Sequence, residues 1–487
     1  MLFNSFSFAI FFPIVFVLYY VIKSKYRNIF LLLASCVFYM AFVPKYILIL
    51  FGLITVDFFL AKEIEKREGG SRKLLLGISI VANIGTLIFF RYFNFFNENI
   101  SLLANFLHWN YTPLLLTIAL PLGLSFHVFQ SLSYVIEVYK KKYTPEKNYL
   151  TYALYVMFFP QLVAGPIERP QHLLPQLNLT HEFNFVLARR GLERMLWGFF
   201  KKMVIADQLA QIINPLYANL PQDSLLLIVI AIMFAYQLYC DFSGYSDIAL
   251  GTAMMLGYDL SENFNRPYAS RSFAEFWRRW HMSLSNWLRD YLYYPLALGW
   301  GRVSKIKLLY SLFITFVLIG LWHGANWTFV VFGAINGAYL VIESVTEKLR
   351  KNIVRIIHLD KLPKLHQIIQ TIIVFFGMCV SFIFFRSETV GKAWYFLSNI
   401  FNKTIFDLSI QDIFNQLTLQ SGKIVLYVSI FSILTMEIVQ FFQEKNKTFY
   451  IFDNTPKIVR YGWYYFLVCG ILLFGYFGSQ TFIYFQF

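Results

Sequence analysis

The stretches NRPYASRSFAEFWRRWHMSLSNWLRDYLYYPLALG (residues 265–299) and LIGLWHGANW (residues 318–327), joined by a basic connector, determine how this chain is organised. Each contains one histidine: His281 lies among arginines and tryptophans, and His323 lies in an apolar run. An ionisable side chain at membrane depth is costly in free energy, so it usually marks a site that faces a cavity or a polar partner. His323 is therefore the first candidate for a functional residue.

Composition favours a membrane protein. Of the 487 residues, 58% are hydrophobic and only 14% are charged, which is fewer charges than soluble domains carry. Apolar runs of near bilayer-crossing length recur along the chain, and helices can satisfy all their backbone groups there. The sequence therefore predicts an all-α polytopic membrane protein with one integral membrane domain over residues 1–487. We expect about a dozen transmembrane helices, with re-entrant or interfacial helices, around a central polar passage.

The net charge of +15 indicates topology more than a polyanionic partner. Lysines and arginines cluster in short loops between apolar runs, a pattern typical of cytoplasmic loops and of contact with anionic lipid headgroups. We therefore expect contact with membrane lipid and no nucleic-acid binding. Positive loops alternate with neutral ones along the first five apolar runs, so the positive-inside rule places the N-terminus outside.

The four cysteines show no CxxC spacing, so the sequence indicates neither a zinc site nor a disulfide framework. We expect no bound metal and no bound cofactor. The first twenty residues lack the basic start and the small-residue cleavage site of a signal peptide, so they are interpreted as a retained first span.

The segment 271–293 is predicted to form one amphipathic helix. At helical spacing its tryptophans and leucines share one face and its arginines a neighbouring face, with His281 between them. One interpretation is an interfacial helix with tryptophans at headgroup level. The other is the wall of a polar cavity, in which Arg278, Arg279 and Arg289 bind the phosphates of an acyl donor. The two interpretations are compatible.

Two interpretations of His323 are open. A histidine in an apolar span can be a hydrogen-bonded core residue. Gly320 and Gly324, however, allow a ligand or a neighbouring backbone to approach closely, and Asn326 adds a second polar group. Since its pKa lies near neutrality, a histidine can take a proton from a hydroxyl and release it again. We therefore nominate His323 as a catalytic residue and Asn326 as a substrate-binding residue.

A third polar cluster, YCDFSGYSDIALG, occupies residues 239–251. It is not a GxSxG nucleophile elbow, so Ser243 is not nominated as a nucleophile. Asp241 and Asp247 are candidates for substrate binding. The alternative is that the Asp and Ser side chains cap a helix at a break.

Five stretches together resemble the membrane-bound O-acyltransferase family, in particular its alginate O-acetyltransferase-like bacterial branch. The resemblance implies a helical membrane acyltransferase whose invariant histidine matches His323. Its second polar position, asparagine in some members and histidine in this branch, matches His281, which we nominate as the second catalytic residue. In chain order the five stretches are FHVFQSLSYVIEVY (126–139), FFPQLVAGPIERP (158–170), YCDFSGYSDIALG (239–251), ENFNRPY (262–268) with FWRRWHMSLSNWLRDYLYYPL (276–296), and GLWHGANWTFVVFG (320–333).

The resemblance also implies a reaction in the bacterial cytoplasmic membrane. An acetyl group would pass from a cytoplasmic thioester donor, acetyl-CoA, to hydroxyls of an extracytoplasmic polysaccharide such as alginate, another exopolysaccharide or peptidoglycan. A separate periplasmic or extracellular acetyltransferase partner would complete the transfer. The thioester carbonyl would become an oxyanion that needs hydrogen-bond donors, and Asn326 and His281 are the candidates.

Two other classes of protein are consistent with the same residues. In a polysaccharide or lipid transporter, His323 and the buried acids would form a substrate or proton path. A scaffold for a polysaccharide-synthesis complex would tolerate replacement of either histidine. Consumption of a thioester by the purified protein distinguishes the enzyme from both.

Overall fold

The computed structural model describes residues 1–116, 121, 123–163, 165–299, 301–401, 409–478 and 482–483. All regular structure in these residues is helical, which confirms the all-α prediction. The first ten helices are α1 (Phe6–Val21), α2 (Arg27–Met40), α3 (Ile47–Lys66), α4 (Gly69–Phe106), α5 (Leu124–Tyr139), α6 (Tyr149–Met157), α7 (Pro170–Leu177), α8 (Phe185–Phe199), α9 (Asp207–Ala218) and α10 (Ser224–Met255). The other eleven are α11 (Phe273–Arg279), α12 (Met282–Leu288), α13 (Tyr294–Leu298), α14 (Lys305–His323), α15 (Trp327–Val345), α16 (Glu347–Ile356), α17 (Pro363–Arg386), α18 (Val390–Ile400), α19 (Ile410–Thr418), α20 (Lys423–Asn446) and α21 (Lys457–Phe474).

Seven helices of the described chain, namely α4, α10, α14, α15, α17, α20 and α21, are long and apolar enough to cross a membrane. Together with the family membership reported below, they confirm the polytopic membrane class. The prediction of about a dozen crossings also counted α1 and α2, which have 16 and 14 residues, whereas a crossing takes about 20. It counted α3 too, which has 20 residues but ends in the charged run KEIEK. The central polar passage stays a prediction.

Residue contacts divide the chain into two compact units. Unit 1 comprises Met1–Met195 and Ser246–Ser261, and unit 2 comprises Leu196–Tyr245 and Glu262–Phe487. Two of the three boundaries between the units fall inside helices α8 and α10, and the third follows Ser261. The single membrane domain predicted over residues 1–487 stays a prediction.

In unit 1 a buried carboxylate joins α3 to α4. Asp57 on α3 is fully buried. Its oxygens accept hydrogen bonds from Ser79 Oγ at 2.6 Å and from Asn83 Nδ2 at 2.9 Å, both on α4. A buried carboxyl group without such partners would be strongly destabilising, so these bonds fix the rotational position of α4 against α3.

The proline-rich segment 158–170 forms a second polar cluster in unit 1. It follows α6, whose nine residues are too few for a crossing. The buried carboxylate of Glu168 accepts a hydrogen bond from Ser261 N at 2.5 Å and lies 2.7 Å from His172 Nδ1. The other ring nitrogen, Nε2 of His172, lies 3.3 Å from a carboxylate oxygen of Asp259. Hydrogen bonds to Asp259 and Glu168 raise the pKa of His172 to about 10.

The polar cluster of residues 239–251 lies within α10, which continues as one helix for 32 residues. The interpretation of these side chains as caps at a helix break is therefore wrong. In unit 2, Asp241 forms an ion pair of 2.5 Å with Lys202, which also contacts Asp207 at 2.7 Å. A buried charge inside a helix is tolerated when an opposite charge and hydrogen bonds compensate it, and the sequence pattern did not reveal this partner.

In unit 2, α14 and α15 form a tight antiparallel hairpin. An added Cβ at Gly320 would lie 2.1 Å from the carbonyl oxygen of Phe329 and 2.9 Å from Gly333 Cα. The two backbones therefore approach to a distance that only glycine permits, as at small-residue contacts between membrane helices. Of the two reasons predicted for Gly320, the structure shows the close approach of a neighbouring backbone.

Candidate active site

His323 is the last residue of α14 and is buried in an aromatic cage in unit 2. Its exposed fraction is 4%. The ring centroids of Trp322, Phe385 and Phe332 lie 4.8, 5.2 and 5.7 Å from the His323 centroid. Phe332 belongs to α15 and Phe385 to α17, so three helices hold the imidazole in place. Gly324 follows directly, and a Cβ there would lie 2.1 Å from the Phe329 ring.

His281 lies at a break between two short helices. The sequence predicted one helix over residues 271–293, but α11 ends at Arg279 and α12 begins at Met282. His281 has φ +44°, a left-handed conformation that no residue inside an α-helix adopts. The continuous amphipathic helix is therefore corrected to two helices, followed by the π-helical segment Arg289–Tyr293.

Asn263 organises this break, although sequence reasoning did not nominate it. Its side-chain oxygen accepts from Ser283 Oγ at 2.7 Å and lies 3.3 Å from His281 Nδ1, and its backbone carbonyl accepts from Met282 N at 2.9 Å. The motif ENFNRPY contains this residue. An asparagine just upstream of a polar helix was the available signal, but its partners lie about 20 residues further along the chain.

The hydrogen bond to Asn263 specifies a tautomer of His281. Because the amide oxygen is an acceptor, Nδ1 carries the proton, and Nε2 of the neutral ring is then an acceptor. His281 lies outside the seven candidate spans, and burial lowers its pKa to about 3. The imidazole is therefore neutral at physiological pH, and it would donate through Nε2 to an oxyanion only after protonation.

Trp322 brings the two nominated histidines together. Its ring centroid lies 4.8 Å from that of His323 and 6.2 Å from that of His281. His281 also packs edge-on against Phe242 at 4.7 Å. The structure thus places both histidines in one buried aromatic site of unit 2, and their catalytic roles stay predictions.

Asn326 lies close to His323 in the chain but has structural hydrogen bonds. It is the N-cap of α15, where its Oδ1 accepts from Thr328 N at 3.0 Å. Its Nδ2 donates to the carbonyl of Glu388 at 2.9 Å. These bonds hold the turn that follows His323. The role of Asn326 in substrate binding stays a prediction.

Both nominated acids are engaged in buried contacts. In unit 2, Asp241 accepts from Ile483 N at 2.7 Å in addition to its ion pair with Lys202. In unit 1, Asp247 Oδ1 lies 3.0 Å from Arg194 Nε. These contacts give both carboxylates structural partners, and their substrate-binding role stays a prediction.

The three nominated arginines are on or near the surface of unit 2. Arg278 and Arg289 are exposed, and Arg289 contacts Asp290 at 2.8 Å. Arg279 contacts Glu275 and Glu444, each at 2.8 Å. A cavity of about 670 Å³ lies beside Arg279. Its charged lining residues are Arg266, Arg271, Arg279, Lys364, Glu437 and Glu444. Four cations against two anions make this cavity electropositive.

Metal-ligand geometry is not part of this site. Within the described ranges, no group of three or more His, Cys, Asp or Glu side chains is arranged to hold a metal ion. Aromatic rings surround His323, and His281 in addition contacts the side chain of Asn263.

A sequence model of the membrane-bound O-acyltransferase family matches residues 76–386. These residues include both histidines, and the matched range ends at the last residue of α17. The chain belongs to the membrane-bound O-acyltransferase family, and it is a multi-pass membrane acyltransferase.

Three curated relatives cover most of the chain. The probable alginate O-acetylase of Pseudomonas aeruginosa is 36% identical over 87% of this chain and 79% of its own length. The probable alginate O-acetylase of Azotobacter vinelandii is 38% identical over 82% of this chain and 77% of its own length. The peptidoglycan O-acetyltransferase of Helicobacter pylori is 32% identical over 81% of this chain and 78% of its own length. The resemblance predicted from the five motifs is confirmed.

Proposed function

We propose that this protein transfers an acetyl group from acetyl-CoA on the cytoplasmic side toward hydroxyls of an extracytoplasmic polysaccharide. The observation that carries the proposal is the pair of histidines on either side of Trp322, in a chain whose relatives are named as O-acetylases. Alginate and peptidoglycan both present sugar hydroxyls, so a polysaccharide acceptor fits these relatives. The membrane is the bacterial cytoplasmic membrane, with the N-terminus outside.

His323 is the general base in this proposal. It takes the proton from the attacking hydroxyl while the hydroxyl oxygen bonds to the thioester carbon. The tetrahedral oxyanion then collapses, the carbon–sulfur bond breaks, and the thiolate leaves with the proton from His323. The aromatic cage supports this role, because an imidazole that is held in place loses little energy to reorganisation.

His281 acts beside His323 by accepting a hydrogen bond through Nε2, which orients a reacting hydroxyl. Asn326 is the candidate donor to the oxyanion. Arg279 binds donor phosphate at the electropositive cavity that it lines, since guanidinium groups pair well with phosphate. Arg278 and Arg289 do not line this cavity, and they are further candidates for contact with the donor phosphates. A periplasmic or extracellular acetyltransferase partner passes the acetyl group to the polysaccharide.

The decisive experiment measures thioester consumption and acceptor acetylation by His323→Ala. A general base contributes about 10²- to 10⁴-fold to the rate, so activity should fall by at least about 100-fold while thermal stability in detergent changes little. Ser311→Ala, a buried polar replacement on the same helix α14, is the matched control and should stay active. Normal activity of His323→Ala would refute the general-base role. A wild-type protein that consumes no thioester would support a transporter instead.

A further inference from the structure

A groove of about 610 Å³ lies in unit 2 where α16 meets the ends of α15 and α17. The N-terminus of α11 completes its lining through Phe273. The groove wall is mainly aliphatic, with Ile353 on α16 and Ile373 and Val374 on α17. None of the nominated site residues lines it, so the groove needs a separate explanation.

The groove carries a small net positive charge, because four cations line it against three carboxylates: Arg271, Arg350, Lys351 and Arg355 against Glu343, Glu347 and Asp360. Arg350, Lys351 and Arg355 of α16 line it, and Lys351 is paired with Glu347 at 2.5 Å. Arg350 donates instead to the backbone carbonyl of Glu343 at 2.6 Å. In the part of the chain that the structure describes, no carboxylate forms an ion pair with Arg350 or Arg355, so both guanidinium groups can bind an anion.

Helix α16 has the composition of a helix that lies on a bilayer surface. Leu349, Ile353 and Ile356 are exposed by 59%, 45% and 75%, next to the basic residues of the same helix. Aliphatic side chains beside lysines and arginines are typical of helices at the boundary between headgroups and acyl chains. On a bilayer surface, the aliphatic wall of the groove would therefore contact acyl chains and its cationic rim would contact lipid headgroups.

We propose that this groove binds one anionic glycerophospholipid of the surrounding bilayer. The lipid phosphate contacts Arg350 and Arg355, and an acyl chain lies against Ile353, Ile373 and Val374. A lipid without net charge would contact the aliphatic wall but would not compensate the positive charge of the rim. A free phosphate compound would pair with the arginines of the rim but would leave the aliphatic wall uncovered. The acidic headgroups of the cytoplasmic leaflet supply the required charge.

Such a lipid would also support the segment that leads to the active site. Phe273 of α11 stacks on Tyr339 of α15, with ring centroids 4.2 Å apart. Helix α11 ends at Arg279, two residues before His281. A lipid in the groove packs against this ring pair, so we expect it to raise the thermal stability of the purified protein.

Native mass spectrometry of the full chain tests the proposal with phosphatidylglycerol and phosphatidylcholine of identical acyl chains. The wild type should retain one phosphatidylglycerol most tightly. The double variant Arg350→Gln, Arg355→Gln should bind it at least about tenfold more weakly, because two charged contacts to phosphate are lost. Lys348→Gln removes one charge from the same helix outside the groove, and it should bind like the wild type.

A second pair of variants tests the acyl-chain contact. Ile373 lies in the groove wall, whereas its neighbour Ile372 is similarly exposed but lies outside the groove. Ile373→Asn is therefore the test variant and Ile372→Asn is its control. Only Ile373→Asn should weaken phosphatidylglycerol retention. Equal retention of phosphatidylcholine, unchanged binding in the double variant, or displacement of the lipid by free coenzyme A or glycerol phosphate would each overturn the proposal.

Discussion

At the scale of single residues, the backbone of His281 is as informative as its ring. A non-glycine residue with positive φ is uncommon, and such strain often accompanies function. The chain changes direction at the break between α11 and α12, and the His281 ring there contacts the rings of Trp322 and Phe242. A histidine kept at a position where glycine would be unstrained suggests that the imidazole is needed.

Two replacements of His281 separate chemistry from packing. Asparagine tolerates the left-handed conformation and can accept a hydrogen bond, so His281→Asn should keep activity within about tenfold of the wild type. His281→Ala should lose about 100-fold, with the same thermal stability as His281→Asn. Acetyl transfer and melting temperature are measured on both purified variants. If activity and stability fell in proportion, His281 would have only a structural role.

His172 predicts a pH dependence of stability. Its folded-state pKa is raised to about 10, above the usual value of about 6.5. The ion-paired imidazolium therefore stabilises unit 1 fully below about pH 6.5, and this contribution is lost as the pH rises through 10. His172→Gln should melt below the wild type at pH 6, and the difference should shrink toward pH 10.

The size of that effect is small, because His172 is 37% exposed and solvent screens the pair. We expect a difference of about 1–2 °C at pH 6, in line with a contribution of about 1 kcal/mol or less. His366→Gln, a histidine of unit 2, is the control. A difference that grew with pH would contradict the assignment.

At the scale of elements, the hairpin of α14 and α15 could be predicted and the break at His281 could not. Apolar runs bounded by basic residues and a GLWHGANW turn define the hairpin locally. The helical spacing of tryptophans and leucines, in contrast, continues through His281, so the pattern predicted one helix. The bond from Met282 N to Asn263 that ends α11 is made by a distant residue.

Contacts between residues far apart in the chain also explain the polar cluster on α10. The alternative interpretation of Asp241 was a cap at a helix break, because Asp and Ser are common capping residues. Its partners are Lys202, about 40 residues earlier, and Ile483 N, 242 residues later. Contacts over such separations leave no periodic signal in the sequence, which is why the partners of Asp241 could not be predicted.

The close contact at Gly320 in the hairpin predicts that one added methyl group lowers the stability of the protein. Gly320→Ala would place a Cβ against the backbone of Phe329 and Gly333, which cannot move aside as a flexible side chain could. We expect a loss of about 1–3 kcal/mol in stability and reduced activity, because His323 lies three residues further on. Gly391→Ala on α18, where the added Cβ meets only one atom at 3.9 Å, should be neutral. Melting curves in detergent and acetylation assays compare the two, and a fully stable, active Gly320→Ala would be inconsistent with this packing.

At the scale of the whole molecule, the proposed reaction requires access to the turn between α14 and α15. Cysteine at Gly324 would collide with the Phe329 ring, and Asn326 caps α15, so Ala325→Cys is the better probe. In a background without Cys36, Cys240, Cys379 and Cys469, it should react with a small membrane-impermeant thiol reagent from at least one side. Ala393→Cys, at a fully buried position, should not react. Protection of Ala325→Cys from both sides would exclude a passage to the histidine site.

Helix α4 has a mechanical consequence for the intact protein. Its 38 residues extend for about 57 Å, nearly twice the hydrocarbon thickness of about 30 Å. A rod of this length must lean or project from the bilayer, and the angle it takes depends on how long the surrounding lipid tails are. We therefore expect the angle of α4 to change with lipid tail length in a bilayer, and a detergent micelle, which has no fixed thickness, to remove this dependence.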